Sequence, residues 1–178
     1  MLGINQINHA LQTTYQNKIL KKNLFEQIPH SLIRKEYAYY EHDKVMYLVN
    51  DSSIGLNNGD VGIIEQLETT NNKIVHNQII FNEEIKHFVA DNFNSLTLNY
   101  ACSVHKTQGS EYQNVIFVIE NGINNFFLNK KLIYTAITRA KKNLYLVGDL
   151  NTLIQGIQKP GIKRKTGLIG RLNHFLKV

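Results

Sequence analysis

Two short apolar runs, residues 115–119 (VIFVI) and 144–148 (LYLVG), flank a helical stretch at 129–142 (NKKLIYTAITRAKK). This arrangement restricts the fold more than any other feature of the chain. A strand that is apolar throughout is one covered on both faces. Two such strands joined by a crossover of helix length form a βαβ unit, which imposes a parallel sheet. Ile133, Ala136, Ile137 and Ala140 supply the helix with an apolar stripe. Lys131, Thr135, Arg139 and Lys142 fall on the opposite side, with no acid among them.

Upstream the period changes. Residues 3–25 read as a helix, with Ile4, Ile7, Leu11, Tyr15 and Ile19 at spacings of three and four. Pro29 ends any helical course. Residues 44–49, 61–67, 74–81 and 85–89 then read as four β-strands. Asn58-Gly59 marks a turn between the first two, and residues 69–73 a hairpin tip. Short strands at this spacing predict a small antiparallel barrel. Residues 96–101 (LTLNYA) read as a further strand, returning to the α/β region. The fold class expected is α/β, with a parallel sheet and its helices interrupted by an all-β module. The tail at 150–178 is basic and broken by Pro160 and several glycines.

The net charge of +6 is unevenly spread. Residues 1–129 carry 9 Lys/Arg against 13 Asp/Glu, while residues 130–178 carry 11 against one acid, Asp149. The last quarter therefore suits a polyanion, although a merely solvated basic end has the same composition. The single cysteine, Cys102, excludes an internal disulfide and fits a reducing compartment such as the cytoplasm. No apolar run approaches membrane-spanning length.

The densest polar stretch is 103–114 (SVHKTQGSEYQN). Following strand 96–101, it lies where open parallel sheets bind ligands, at a strand's carboxyl end. His105, Lys106, Thr107 and Gln108 offer donors for phosphate oxygens or base edges. Gly109 permits a turn or a close backbone approach, and Glu111 can accept from a sugar hydroxyl. Residue types alone do not separate a site edge from an idle loop. Arg139 is the second candidate, because its fixed fork of donors suits a transferring phosphoryl group. Cys102 with His105 makes a poor hydrolase pair, a small buried cysteine being far more usual. The seven histidines show no metal-ligand spacing. No GxxxxGK[ST] phosphate loop occurs anywhere in the chain.

Two segments resemble a known family. NYACSVHKTQGSEYQNVIFVI resembles motif V of superfamily 1 DNA helicases of the RecD/TraA type, and LIYTAITRAKKNLYLVG resembles their motif VI. HDKVMYLVND followed by LNNGDVGIIEQ resembles their SH3-like barrel, domain 2B, which is inserted in the second RecA-like domain, 2A. GINQINHALQ is similar to the helix before that insertion, and RKTGLIGRL to the family's closing stretch. The resemblance implies a partial RecA-like (P-loop NTPase-type) domain 2A at 1–33 and 95–178, its first strand cut off before Met1, with the barrel at 34–94. It implies that Arg139 reaches the ATP γ-phosphate. Gln108, Gly109 and Glu111 would lie at the nucleotide edge, with Glu111 on the ribose. His105, Lys106 and Thr107 would couple that edge to single-stranded DNA. Tyr134 and Thr138 would support the arginine. ATP and Mg²⁺ are implied for the full-length enzyme, as is an N-terminal RecA-like partner domain. The Walker lysine and the metal-binding acid are not in this chain, so these 178 residues alone are expected to be inactive. Two positions depart from the pattern: His42 stands where the family usually has Gly, and Asn99 where it usually has Ala. The alternative expectation is a noncatalytic nucleic acid-binding or adaptor module, which would bind DNA in a salt-sensitive way without regard to ATP.

Overall fold

A computed structural model describes residues 3–21, 32–34, 37–119, 127–159, 167 and 174–175. The boundary at Pro29 and most of the tail, including RKTGLIGRL and Pro160, lie outside the described residues. The chain divides into two compact units, with the boundary between Lys106 and Thr107.

In the first unit, helix α1 (Ile4–Thr14) runs into a single π-helical turn, Tyr15–Ile19. A short hairpin follows, β1 (Leu32–Arg34) with β2 (Tyr37–Tyr39). Strands β3 (Lys44–Tyr47), β4 (Val61–Thr70), β5 (Lys73–Phe81), β6 (Glu84–Lys86) and β7 (Leu96–Leu98) form one antiparallel sheet in the order β6-β5-β4-β3-β7. A one-turn helix, α2 (Ala90–Phe93), precedes β7. The β4–β5 tip is Asn71-Asn72, both residues left-handed, which gives the twist that a tight hairpin requires. The four expected strands are present, but the sheet is open and no closed barrel is seen among the described residues.

One strand changes partners relative to the sequence reading. Residues 96–98 were expected in the parallel sheet. They pair antiparallel with β3, Val45 opposite Leu98 and Tyr47 opposite Leu96. Burial explains the exchange. Leu96 and Leu98 point into an aromatic core with Tyr39, Tyr47, Phe81, Phe88 and Phe93. Successive rings there meet at centroid distances of 5.6–6.4 Å, mostly edge to face.

Helix α1 also differs from expectation. Its expected apolar stripe is not its most buried one: Ile4, Leu11 and Ile19 are 45, 41 and 65% accessible, while Ile7 and Tyr15 are half-buried. The buried stripe is Asn8, Gln12 and Gln16. The sheet module offers this helix backbone carbonyls and a buried carboxylate, Asp43, which only hydrogen-bond donors can satisfy. Gln12 Nε2 donates to the Ala38 carbonyl (2.9 Å) and to Asp43 Oδ2 (2.6 Å). Gln16 Nε2 donates to the Glu41 carbonyl (2.8 Å) and to Asp43 Oδ1 (3.1 Å). Asn8 reaches Ala101, 93 residues along the chain.

The second unit contains the βαβ element. Strand β8 (Tyr112–Ile119) pairs in parallel with β9 (Ala140–Gly148), and α3 (Lys130–Ile137) lies between them in the chain. Helix α4 (Leu150–Gln158) follows, capped by Asp149, whose carboxylate accepts from the Thr152 amide (2.7 Å). Ile133 and Ala136 of α3 are buried, as are Phe117, Ile119 and Leu153. The expected helix 129–142 is shorter than predicted, because its last residues belong to β9. Thr138 ends the helix by turning its hydroxyl back to the Tyr134 carbonyl (2.9 Å), and Ala140 is then recruited to pair with Tyr112.

Candidate functional site

Arg139 occupies the two-residue step between α3 and β9. Its half-buried guanidinium is held on three sides. Nε donates to the Thr135 carbonyl (3.1 Å), a last-turn acceptor that also takes the Thr138 hydroxyl (3.1 Å). Nη2 donates to the Thr138 hydroxyl (3.2 Å). Nη1 donates to the Ser110 carbonyl (2.9 Å), on the exposed loop before β8. Among the described residues its other two N–H groups have no partner. Arg139 thus has a fixed base on the helix end and an exchangeable contact on the loop. A phosphate oxygen can replace the Ser110 carbonyl without disturbing the Thr135 bond, so the donor set fits an ATP phosphate.

The loop carries the other candidates. Residues Val104–Thr107 form one 3₁₀ turn. Gln108 and Gly109 follow it in the exposed turn closed by the Ser110 amide on the Thr107 carbonyl (3.0 Å). Gly109 has φ +86°, a left-handed backbone that glycine adopts without strain. Glu111 pairs with Lys141 of β9 at 3.0 Å, both side chains about half exposed. The Tyr112 amide donates to the Arg139 carbonyl (2.8 Å), tying the loop's end to the arginine's own backbone.

Ser110, Glu111, Arg139 and Lys141 are therefore brought together at the amino ends of β8 and β9. The loop does not follow the carboxyl end of a parallel strand as expected, since strand 96–98 belongs to the antiparallel sheet. His105 and Lys106 close the first unit, both exposed, and Thr107 opens the second. Lys106 lines a shallow cavity with Ile4, Asn8, Met46, Thr97 and Cys102. Burial pushes the Cys102 thiol above its usual range, against the pull of Lys106, so it makes a poor nucleophile. No cluster of three or more metal-ligating side chains is present among the described residues.

Sequence reasoning missed three participants. Ser110 acts through its carbonyl, which no side-chain pattern reveals. Lys141 faces Glu111 only because 140–143 is strand. The buried centre of the first unit, Asp43, was passed over. Its carboxylate also accepts from the Tyr40 amide (2.9 Å) and the Tyr100 hydroxyl (2.9 Å), four donors in all. Desolvation nevertheless lifts its pKa to about 6, the hydrogen bonds only partly offsetting burial. The spacing of four between Asn8, Gln12 and Gln16 was the available signal.

Residues 98–147, from the end of β7 through most of β9, match the model of the UvrD-like helicase C-terminal domain. That span contains every candidate site residue. The RecBCD enzyme subunit RecD of Buchnera aphidicola (Acyrthosiphon pisum) is 31% identical over 166 residues, 89% of this chain. The chain is related to the C-terminal region of RecD/TraA-type superfamily 1 helicases. The ATP-dependent RecD2 DNA helicase of Deinococcus radiodurans is 26% identical over 130 residues, 73% of the chain. The matched stretch spans 25% of the Buchnera protein and 17% of the Deinococcus one. A Pif1 helicase from Bacteroides, solved with ADP-AlF3 and ssDNA, superposes on 78% of this chain and 35% of its own at TM-score 0.45 and 21% identity. Likeness at that level is too loose to bear on function.

Proposed function

We propose that this chain supplies the arginine-bearing half of an ATP-dependent DNA helicase that moves on single-stranded DNA in repair or recombination. The carrying observation is the setting of Arg139, anchored to the end of α3 and resting on an exchangeable loop carbonyl. In this reading the guanidinium leaves Ser110 for the γ-phosphate and stabilises charge as the phosphoryl group transfers. Gln108, Gly109 and Glu111 form the nucleotide edge, with Glu111 moving from Lys141 to the ribose. His105, Lys106 and Thr107 face the DNA backbone. The phosphate loop and the Mg²⁺ ligands come from an N-terminal RecA-like domain of the same cytoplasmic protein, and these 178 residues alone are inactive. The division into domain 2A (1–33 and 95–178) and an inserted 2B (34–94) belongs to the same proposal.

The test is ATP turnover by the protein in which this chain is joined to its phosphate-loop domain. Arg139→Ala is expected to lower kcat by about 10³ while ATP binding stays near normal. Near-normal turnover would remove the role. DNA titrations indifferent to nucleotide would then favour a noncatalytic module.

A further inference from the structure

The chain leaves the sheet at Leu98. Its last ladder-like bond is the Asn99 amide on the Lys44 carbonyl (2.8 Å). Residues 99–103 belong to no helix or strand, so their backbone groups need partners from elsewhere. A remote side chain provides them for Ala101. Asn8 Nδ2 donates to the Ala101 carbonyl (2.9 Å), and Asn8 Oδ1 accepts from the Ala101 amide (2.8 Å). The amide thus copies a two-bond strand pair, using a side chain that is 1% exposed. Tyr100 beside it is fixed by its hydroxyl on Asp43 (2.9 Å). Three residues past Ala101 the 3₁₀ turn begins, with the Lys106 amide on the Ser103 carbonyl (3.0 Å). Asn8 and Lys106 border the same shallow cavity.

We infer that Asn8 is a positioning residue for the turn Val104–Thr107, holding Lys106 where it meets a DNA phosphate. The inference rests on the DNA reading of that turn given above. Asparagine is specifically required. An aspartate of the same shape keeps the acceptor but has no donor for the Ala101 carbonyl, and an alanine has neither. Asn8 touches no DNA itself; it acts through the backbone at Ala101.

The experiment titrates the 178-residue chain against a fluorescein-labelled oligo(dT) across a salt series. The variants are Asn8→Asp, Asn8→Ala, Lys106→Ala and the Asn8→Ala/Lys106→Ala pair. Lys106→Ala is expected to weaken binding and to reduce the salt slope by about one. Each Asn8 variant is expected to reduce the slope by the same amount, and the pair by no more than Lys106→Ala alone, since both remove one contact. A generally loosened fold would add its loss to that of Lys106→Ala. Amide exchange of the β3–β5 strands checks that the sheet is intact. Normal binding by the Asn8 variants beside weakened binding by Lys106→Ala overturns the inference and leaves the DNA reading standing. No effect of Lys106→Ala, or no binding by the wild type, overturns the DNA reading and the inference with it. If the Asn8 variants fail to fold, exchange at Ala101 in the wild type decides. Protection equal to the β3–β4 amides supports the clamp, and exchange at the unprotected rate refutes it.

Discussion

Asp43 predicts an unusual response to pH. Its side chain is 0% exposed and its pKa is raised from 3.8 to about 6, burial being the main cause. A carboxyl group whose folded pKa exceeds its unfolded one binds its proton more tightly in the native state. Its contribution to stability is then fully present below about 3.8 and is lost as pH rises through 6. The shift of about two units corresponds to about 3 kcal/mol at most. Other carboxylates act oppositely: hydrogen bonds hold Asp51, Glu84 and Asp149 below their ordinary range, and these favour the native state at higher pH. The Asp43 component is isolated by comparison with Asp43→Asn, which cannot ionise. The chain has nine tyrosines and no tryptophan, so urea unfolding can be followed by tyrosine emission and far-UV circular dichroism. The difference in unfolding free energy, wild type minus variant, is expected to fall by most of that 3 kcal/mol between pH 4 and 7. The variant is also expected to be the weaker protein at acid pH, because one of its two side-chain positions faces donors with an NH₂ group. A flat difference would refute the reasoning. A difference that rises with pH would show that the four donors outweigh desolvation.

Three further outcomes follow from backbone and surface features. His42 has φ +67° while its amide bonds the Ile64 carbonyl, so His42→Gly is expected to raise stability by up to ~1 kcal/mol in urea unfolding. Gly148 ends β9 at φ +134°, where an added Cβ would collide with the Ile119 carbonyl. Gly148→Ala is therefore expected to cost roughly 2 kcal/mol or more and to expose β8–β9 amides to exchange, while leaving β3–β5 amides protected. Glu111→Ala removes a half-exposed ion pair and should change chain stability by less than ~1 kcal/mol. In the joined protein it should weaken nucleotide binding more than DNA binding, and an unchanged nucleotide Kd would cancel the ribose assignment.

The parallel pair was legible because 115–119 and 144–148 are apolar without interruption and a helix length separates them, but the cover expected on both faces is not seen among the described residues, Ile116, Val118, Tyr145 and Val147 being exposed. The β module was legible from its turn residues, above all the left-handed Asn71-Asn72 and Gly59. Arg139 was legible as a donor in need of a partner, but its contacts were not. Two of them are main-chain carbonyls, and every residue has one of those. The polar burial of α1 was hidden for a related reason. Periodicity identifies which residues share a face, but a face is buried by what meets it, and here the neighbour is Asp43 with three backbone carbonyls. The fate of 96–98 also turned on a partner. Its apolar alternation suits either sheet, and the aromatic core beside β3 decided between them.

The joint between α1 and the β module has a mechanical consequence. An apolar interface tolerates sliding, because one methyl group can replace another along a smooth surface. Asn8, Gln12 and Gln16 instead grip fixed atoms at single positions. A slip of one residue would turn all three amides by about 100° and break every bond at once. The helix and module therefore mesh like gear teeth: α1 cannot turn against the module without giving up its bonds to Ala38, Glu41 and Ala101.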